Sequence, residues 1–85
     1  VVQFSSAFCS PCRATRTIVQ QAADLVPGVD AVEIDAESHL ELVRRLNILR
    51  TPTVLILDAR GVVVQRASGV PTREQVLAAV ALAVD

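Results

Sequence analysis

The sequence predicts an α/β domain in which a mixed sheet carries helices on both faces, in the order β-α-β-α-β-β-α. Three observations lead there. Short strand-like apolar runs alternate with stretches whose apolar residues recur every three or four positions. Helix-start signals stand before the second and third of those stretches, and a proline opens the first. The last two strand-like runs are joined directly by the turn Asp58-Ala59-Arg60-Gly61. Alternating strands and helices argue for parallel pairing, and the closing hairpin adds antiparallel strands at one side.

Val1 to Ser5 is the first strand. Pro11 suits the first turn of the helix that follows, where its missing N–H is not needed. Cys12, Ile18, Val19, Ala22, Leu25 and Val26 give that helix one buried face, and Pro27-Gly28 stops it. Val29 to Ile34 reads as the second strand. Ser38-His39-Leu40-Glu41 has capping-box spacing and starts a second helix carrying Leu42, Val43 and Leu46. Asn47 is placed to end it in the left-handed conformation. Thr53 to Leu57 is apolar at successive positions, as in a strand covered on both faces. Val62 to Ala67 is its hairpin partner. Thr72-Arg73-Glu74-Gln75 is another capping box, before a last helix expected to bury Val76, Leu77, Val80 and Val84.

Composition narrows the function. Residues 1–85 make one small domain, 52% apolar, with a net charge of −1 and all eight positive charges carried by Arg. Near-neutral balance, two Phe and no Tyr or Trp leave neither the electrostatic footprint nor the stacking surface that nucleic acid needs. The longest apolar run, Val76 to Val84, is nine residues, against the ~20 of a spanning helix. No membrane contact by the domain itself is expected. The chain opens on a strand without an initiator Met, so its native N-terminus is expected to lie further upstream.

Cys9-Ser10-Pro11-Cys12 carries the chemistry. Residues three apart share a helix face, so the two sulfurs can meet. Cys9 falls at a helix N-terminus, where free N–H groups and the dipole favour a thiolate. Cys12, one turn in, is expected to be buried and to act second. Cys9 attacks a partner disulfide, and Cys12 resolves the mixed disulfide. Arg13 and Arg16 are expected to put positive charge beside that turn. A structural disulfide over so short a loop removes little chain entropy. Zinc needs four ligands where the chain offers two Cys and a distant, solvated His39. A cluster shared by two subunits, or two ordinary core cysteines, are the remaining readings. No metal and no cofactor are expected.

Cys-x-x-Cys beside a β-α-β pattern reads as a thioredoxin-like motif, and the chain resembles the thioredoxin family along essentially its whole length. Val1-Val2-Gln3-Phe4 with Phe8-Cys9-Ser10-Pro11-Cys12-Arg13 looks like the family's strand and active-site turn. Val32-Glu33-Ile34-Asp35 looks like its central parallel strand, and Ile48-Leu49-Arg50-Thr51-Pro52-Thr53 like its cis-proline segment. Gly61 and Gly69 match its hairpin and post-strand glycines. The leading strand and helix of full-length members are absent before Val1, which leaves the strand of Val32 and Ile34 an expected sheet edge.

The resemblance implies a thiol–disulfide oxidoreductase acting on protein disulfides, with an upstream protein reductant. It implies a cis Pro52 beside the Cys pair, and a Thr51 whose backbone pairs with an extended substrate segment. Phe8, Pro52, Gly69 and Val70 are expected to form a shallow apolar surface around the exposed sulfur, completed by Ser10 and Pro11 as substrate-binding residues. The expected state is a monomer, or weak self-association through the open edge. The expected location is the cytoplasm, the alternative being a tethered or extracytoplasmic domain whose anchor lies outside this sequence. The rival function is a non-catalytic docking module with vestigial cysteines.

The chain also departs from the family. Phe8 and Ser10 replace its usual Trp and Gly, and Gln3 stands where it has a buried Asp. The accompanying Lys is missing, since the chain has none.

Overall fold

The computed structural model describes residues 1–84. β1 (Val2–Ser5) leads into α1 (Ser10–Leu25), then β2 (Val32–Asp35), a 3-10 turn (Ala36–Ser38) and α2 (Leu40–Arg45). β3 (Thr53–Leu57), β4 (Val63–Ser68) and α3 (Arg73–Ala83) complete the chain. The sheet order is β2-β1-β3-β4. β1 and β2 are parallel, with Phe4 opposite Ile34, while β3 runs antiparallel to both β1 and β4. The expected order and mixed pairing are both present.

β3 is the reason the helices take both faces. Its side chains alternate, and Val54, Leu55 and Ile56 are all buried. Val54 and Ile56 pack with Val19 and Ala22 of α1 and with Val76, Ala79 and Val80 of α3. Leu55 points the other way, to Phe4 and Ile48, against which Leu42, Val43 and Leu46 of the α2 region pack. Among the described residues, no helix is long and apolar enough to cross a membrane.

Local chemistry sets the element ends. Val26 leaves α1 in extended backbone ahead of Pro27. Asn47 adopts φ 55°, closing α2 as expected. Gly61 holds φ 82° in the hairpin, where the Asp58 carboxylate accepts the N–H groups of Arg60 and Val62. The capping box at Thr72 is complete, each partner's side chain accepting the other's backbone N–H.

Four expectations are corrected. The Ser38–Glu41 capping box does not form. Asp35 caps the 3-10 turn instead and draws the Ser38 hydroxyl to its own carboxylate, leaving His39 to precede α2 without a side-chain cap. The second strand starts at Val32 rather than Val29, because its ladder with β1 begins at Val2. Leu25 is exposed, lying about 110° around α1 from the centre of the buried face at 100° per residue. Val84 is the C-cap of α3 and stands half exposed, lining an open groove with Val1 and Val29 instead of joining the core.

Candidate functional site

The β1–α1 junction is built from residues nearest in sequence. Cys9 is the N-cap of α1, its backbone extended (φ −124°, ψ 98°), and the helix begins at Ser10 with Pro11 in the first turn. Cys9 and Cys12 are joined by a disulfide. The backbone N–H of Cys12 is shared between Cys9 Sγ and the Cys9 carbonyl, 3.2 Å from each. No acidic side chain lies in this first turn, so the helix end keeps its full positive character. Cys9 is part-exposed and Cys12 only 1% exposed. Thr15, wholly buried, donates its hydroxyl to the Pro11 carbonyl and braces the turn from behind.

Gln3 reaches this turn from the sheet. It is 2% exposed on β1, and its Nε2 donates to the Cys12 carbonyl over 2.9 Å. The inner cysteine is thereby tied to the central sheet by a neutral amide.

The Thr51–Pro52 peptide bond is cis, as the resemblance implied. Two contacts connect this loop to its neighbours. Thr51 Oγ1 lies 3.3 Å from the Ser6 hydroxyl, in the segment leading to Cys9. The Gly69 N–H donates to the Pro52 carbonyl at 2.8 Å, and Gly69 itself holds φ 89°. Three loops therefore converge at one end of the sheet.

The expected apolar surface needs revision. Pro52 is buried and forms a floor rather than part of the surface. Phe8 is fully exposed and packs on nothing, while Val70 is half exposed and Ser10 and Pro11 face solvent.

Arg16 is also corrected. It is bound to Glu33 of β2 through Nε and Nη2, at 2.7 to 3.0 Å, and does not supply free charge to the turn. Ser5 donates to the same carboxylate at 2.7 Å. Neither the Arg16–Glu33 pair nor the Ser6–Thr51 contact is signalled in the sequence, since each joins positions far apart in the chain. Thr15 could have been found from its four-residue spacing to Pro11. Among the described residues, no three His, Cys, Asp or Glu side chains cluster as a metal site.

The hydrogen bonds from Arg16 hold the Glu33 carboxyl below its ordinary value, partial burial opposes them, and the Ser5 hydroxyl and Arg16 charge assist. A lowered carboxylate value stabilises the fold above the unfolded value, and that contribution fades as pH falls through the folded one. Glu33→Gln should therefore melt below the parent at neutral pH, with the difference closing as the pH falls through the carboxyl's lowered value. Thermal midpoints across that range check this; a difference that persists in acid assigns the loss to packing.

The comparisons with known proteins agree with this geometry. A thioredoxin family model matches residues 1–82. Thioredoxin of Mycoplasma genitalium is 29% identical over 77 residues, 91% of this chain and 74% of that protein. Thioredoxin H2 of Arabidopsis thaliana is 32% identical over 69 residues, 81% of this chain but 51% of that protein, so the chain spans about half its length. The structure of thioredoxin NaTrxh from Nicotiana alata superposes with a TM-score of 0.85, covering 99% of this chain and 71% of that one; at 21% identity it speaks for the fold. Desulfothioredoxin from Desulfovibrio vulgaris Hildenborough, in its reduced form, gives 0.83 at 25% identity, covering 95% and 77%.

Proposed function

The chain belongs to the thioredoxin family of thiol–disulfide oxidoreductases, and on that footing we propose that Cys9 is the attacking thiol and Cys12 the resolving one. The observation that carries the assignment is the Cys12 N–H shared with Cys9 Sγ at a helix N-terminus, with Cys12 itself buried. A donor there stabilises negative charge on Cys9, and burial disfavours it on Cys12.

The exchange runs in two displacements. The Cys9 thiolate attacks one sulfur of a substrate disulfide; that S–S bond breaks, and the leaving thiolate takes up a proton. Cys12 then loses its proton and attacks Cys9 Sγ, releasing the second substrate thiol. Two electrons and two protons pass to the substrate, and the chain is left with the Cys9–Cys12 disulfide seen here. Family membership implies protein disulfides as substrates and a reductant that restores the dithiol. We assign the reductant to an upstream protein and the domain to the cytoplasm, where the thiol pool keeps the pair reduced. Thr51, with its Ser6 contact, is the backbone position offered to an extended substrate, with Gly69 bonded to Pro52 beside it and Phe8, Ser10, Pro11 and Val70 exposed around them. Alkylation of the reduced chain at neutral pH tests the assignment: Cys9 should be labelled first, and faster labelling of Cys12 would reverse the roles.

For residues 1–85 taken alone, we propose that self-association runs through the sheet edge. Among the described residues, β2 has a neighbour on one side only, and Val32 on it is 51% exposed. Open edges pair with other chains, and a lysine on an edge suppresses that pairing. The parent should be a monomer that dimerises weakly as concentration rises, and Val32→Lys should stay monomeric. Identical sedimentation behaviour of the two proteins would remove the edge from the account.

A further inference from the structure

We propose that Arg50 is a specificity-determining residue, selecting protein disulfides that have a carboxylate side chain beside the attacked cystine. The proposal rests on the oxidoreductase reading above and adds the class of substrate to it.

Four of the eight arginines are engaged by side-chain bonds, and of the other four, Arg13, Arg44, Arg50 and Arg73, Arg50 adjoins the cis-proline bond. Arg16, Arg45 and Arg60 pair with Glu33, Glu41 and Asp58. Arg66 donates to the Asn47 carbonyl. Arg50 is exposed and its side chain has no carboxylate or carbonyl partner among the described residues, while its backbone is tied down. Its carbonyl accepts the hydroxyl of buried Thr53 at 2.6 Å, fixing the backbone just before the cis bond. Its Nη2 lies 3.6 Å from where a Cβ at position 69 would stand. Gly69 is in turn bonded to Pro52, and Thr51 to Ser6 of the segment leading to Cys9. The guanidinium thus lies across the junction of the two loops that flank the sulfur-bearing turn. With glycine at 69, no side chain stands between it and an arriving segment.

A group of the other sign stands nearby. Glu37 lines the same small cavity as Thr51 and Arg50, but its Oε1 faces the Ala7 N–H at 3.5 Å, and it makes no ion pair with Arg50. Arg13, next to Cys12, is exposed and adds a second cation without a partner among the described residues. Charge complementarity therefore favours an extended segment with an ionised Asp or Glu on the Gly69 side. A guanidinium presents a planar fork that binds such a group with two parallel hydrogen bonds. The pair stays wet, so the preference is modest and salt-sensitive.

The test uses disulfide-linked peptide dimers identical except for Glu, Gln or Lys beside the cysteine. Each is reduced in single turnover by the parent, Arg50→Lys and Arg50→Glu. For the parent, the Glu peptide should react about fivefold faster than the Lys peptide at low ionic strength, and the ratio should shrink in salt. Arg50→Lys should keep the order with a smaller ratio, and Arg50→Glu should reverse it. Equal Glu-to-Lys ratios in the parent and Arg50→Glu would overturn the proposal, and so would a parent that prefers the Lys peptide, which would hand the selection to Glu37. Reaction of the parent with the Gln peptide separates the two levels. If it reacts but shows no charge order, only the role of Arg50 falls; if it does not react, the oxidoreductase reading falls with it.

Discussion

Cys12→Ser should accumulate a covalent complex with its protein substrate, and Cys9→Ser should form none. The asymmetry follows from where each sulfur sits. Cys9 is part-exposed at the helix cap with a backbone donor on it, whereas Cys12 is 1% exposed and one turn inward. Without the second thiol, the mixed disulfide on Cys9 has no internal attacker and persists until an external thiol arrives. Turnover by either variant should drop by about three orders of magnitude or more, as when one member of a catalytic unit is removed. Non-reducing electrophoresis and mass spectrometry of each variant with an oxidised substrate give the answer. Equal trapping by both would mean that either cysteine attacks, and the division of labour would be lost.

Resolution by Cys12 should depend steeply on pH, and Gln3→Asp should flatten that dependence. Before attacking, Cys12 must release a proton inside a site where burial disfavours the thiolate. The buried side chain tied to it from the sheet is an amide that donates to the Cys12 carbonyl and cannot take up a proton. Solvent hydroxide is left as the base, and the rate should rise about tenfold per pH unit until the thiol is ionised. An Asp at position 3 offers an internal acceptor at the cost of the 2.9 Å hydrogen bond, so stability should fall by about 1–3 kcal/mol. Stopped-flow resolution rates for the two proteins from mildly acid to mildly alkaline pH compare them directly. Superimposed profiles would reduce Gln3 to a packing residue.

What was legible in the sequence follows from the range of the interactions involved. The Thr72–Gln75 box, Asn47 at positive φ and Gly61 in the hairpin turn all depend on neighbours within a few residues, and all formed. The unbroken apolar run of β3 announced burial on both faces, which in turn required helices on both. The Cys9–Cys12 pairing is local for the same reason. The failures come from competing partners, one of them close in sequence and the others distant. Ser38 was a sound cap by spacing, but Asp35 already offered two carboxylate oxygens to the same turn. Arg16 looked like a charge for the sulfur until β2 brought Glu33, seventeen positions away, within 2.7 Å. The Ser6–Thr51 contact spans forty-five positions, and only the closed sheet reveals it. The Thr51–Pro52 bond is cis as the resemblance implies, yet Pro52 is buried and drops out of the expected apolar surface.

The central claim, that the Cys pair passes two electrons to protein disulfides, is tested most directly by a stoichiometric reaction of the fully reduced chain with insulin, without any other reductant. The chain has only two cysteines. Each molecule should therefore lose both free thiols, gain the Cys9–Cys12 disulfide by peptide mapping, and release two thiols from insulin. A chain that keeps both thiols while insulin stays oxidised would contradict the account and leave a docking module with idle cysteines.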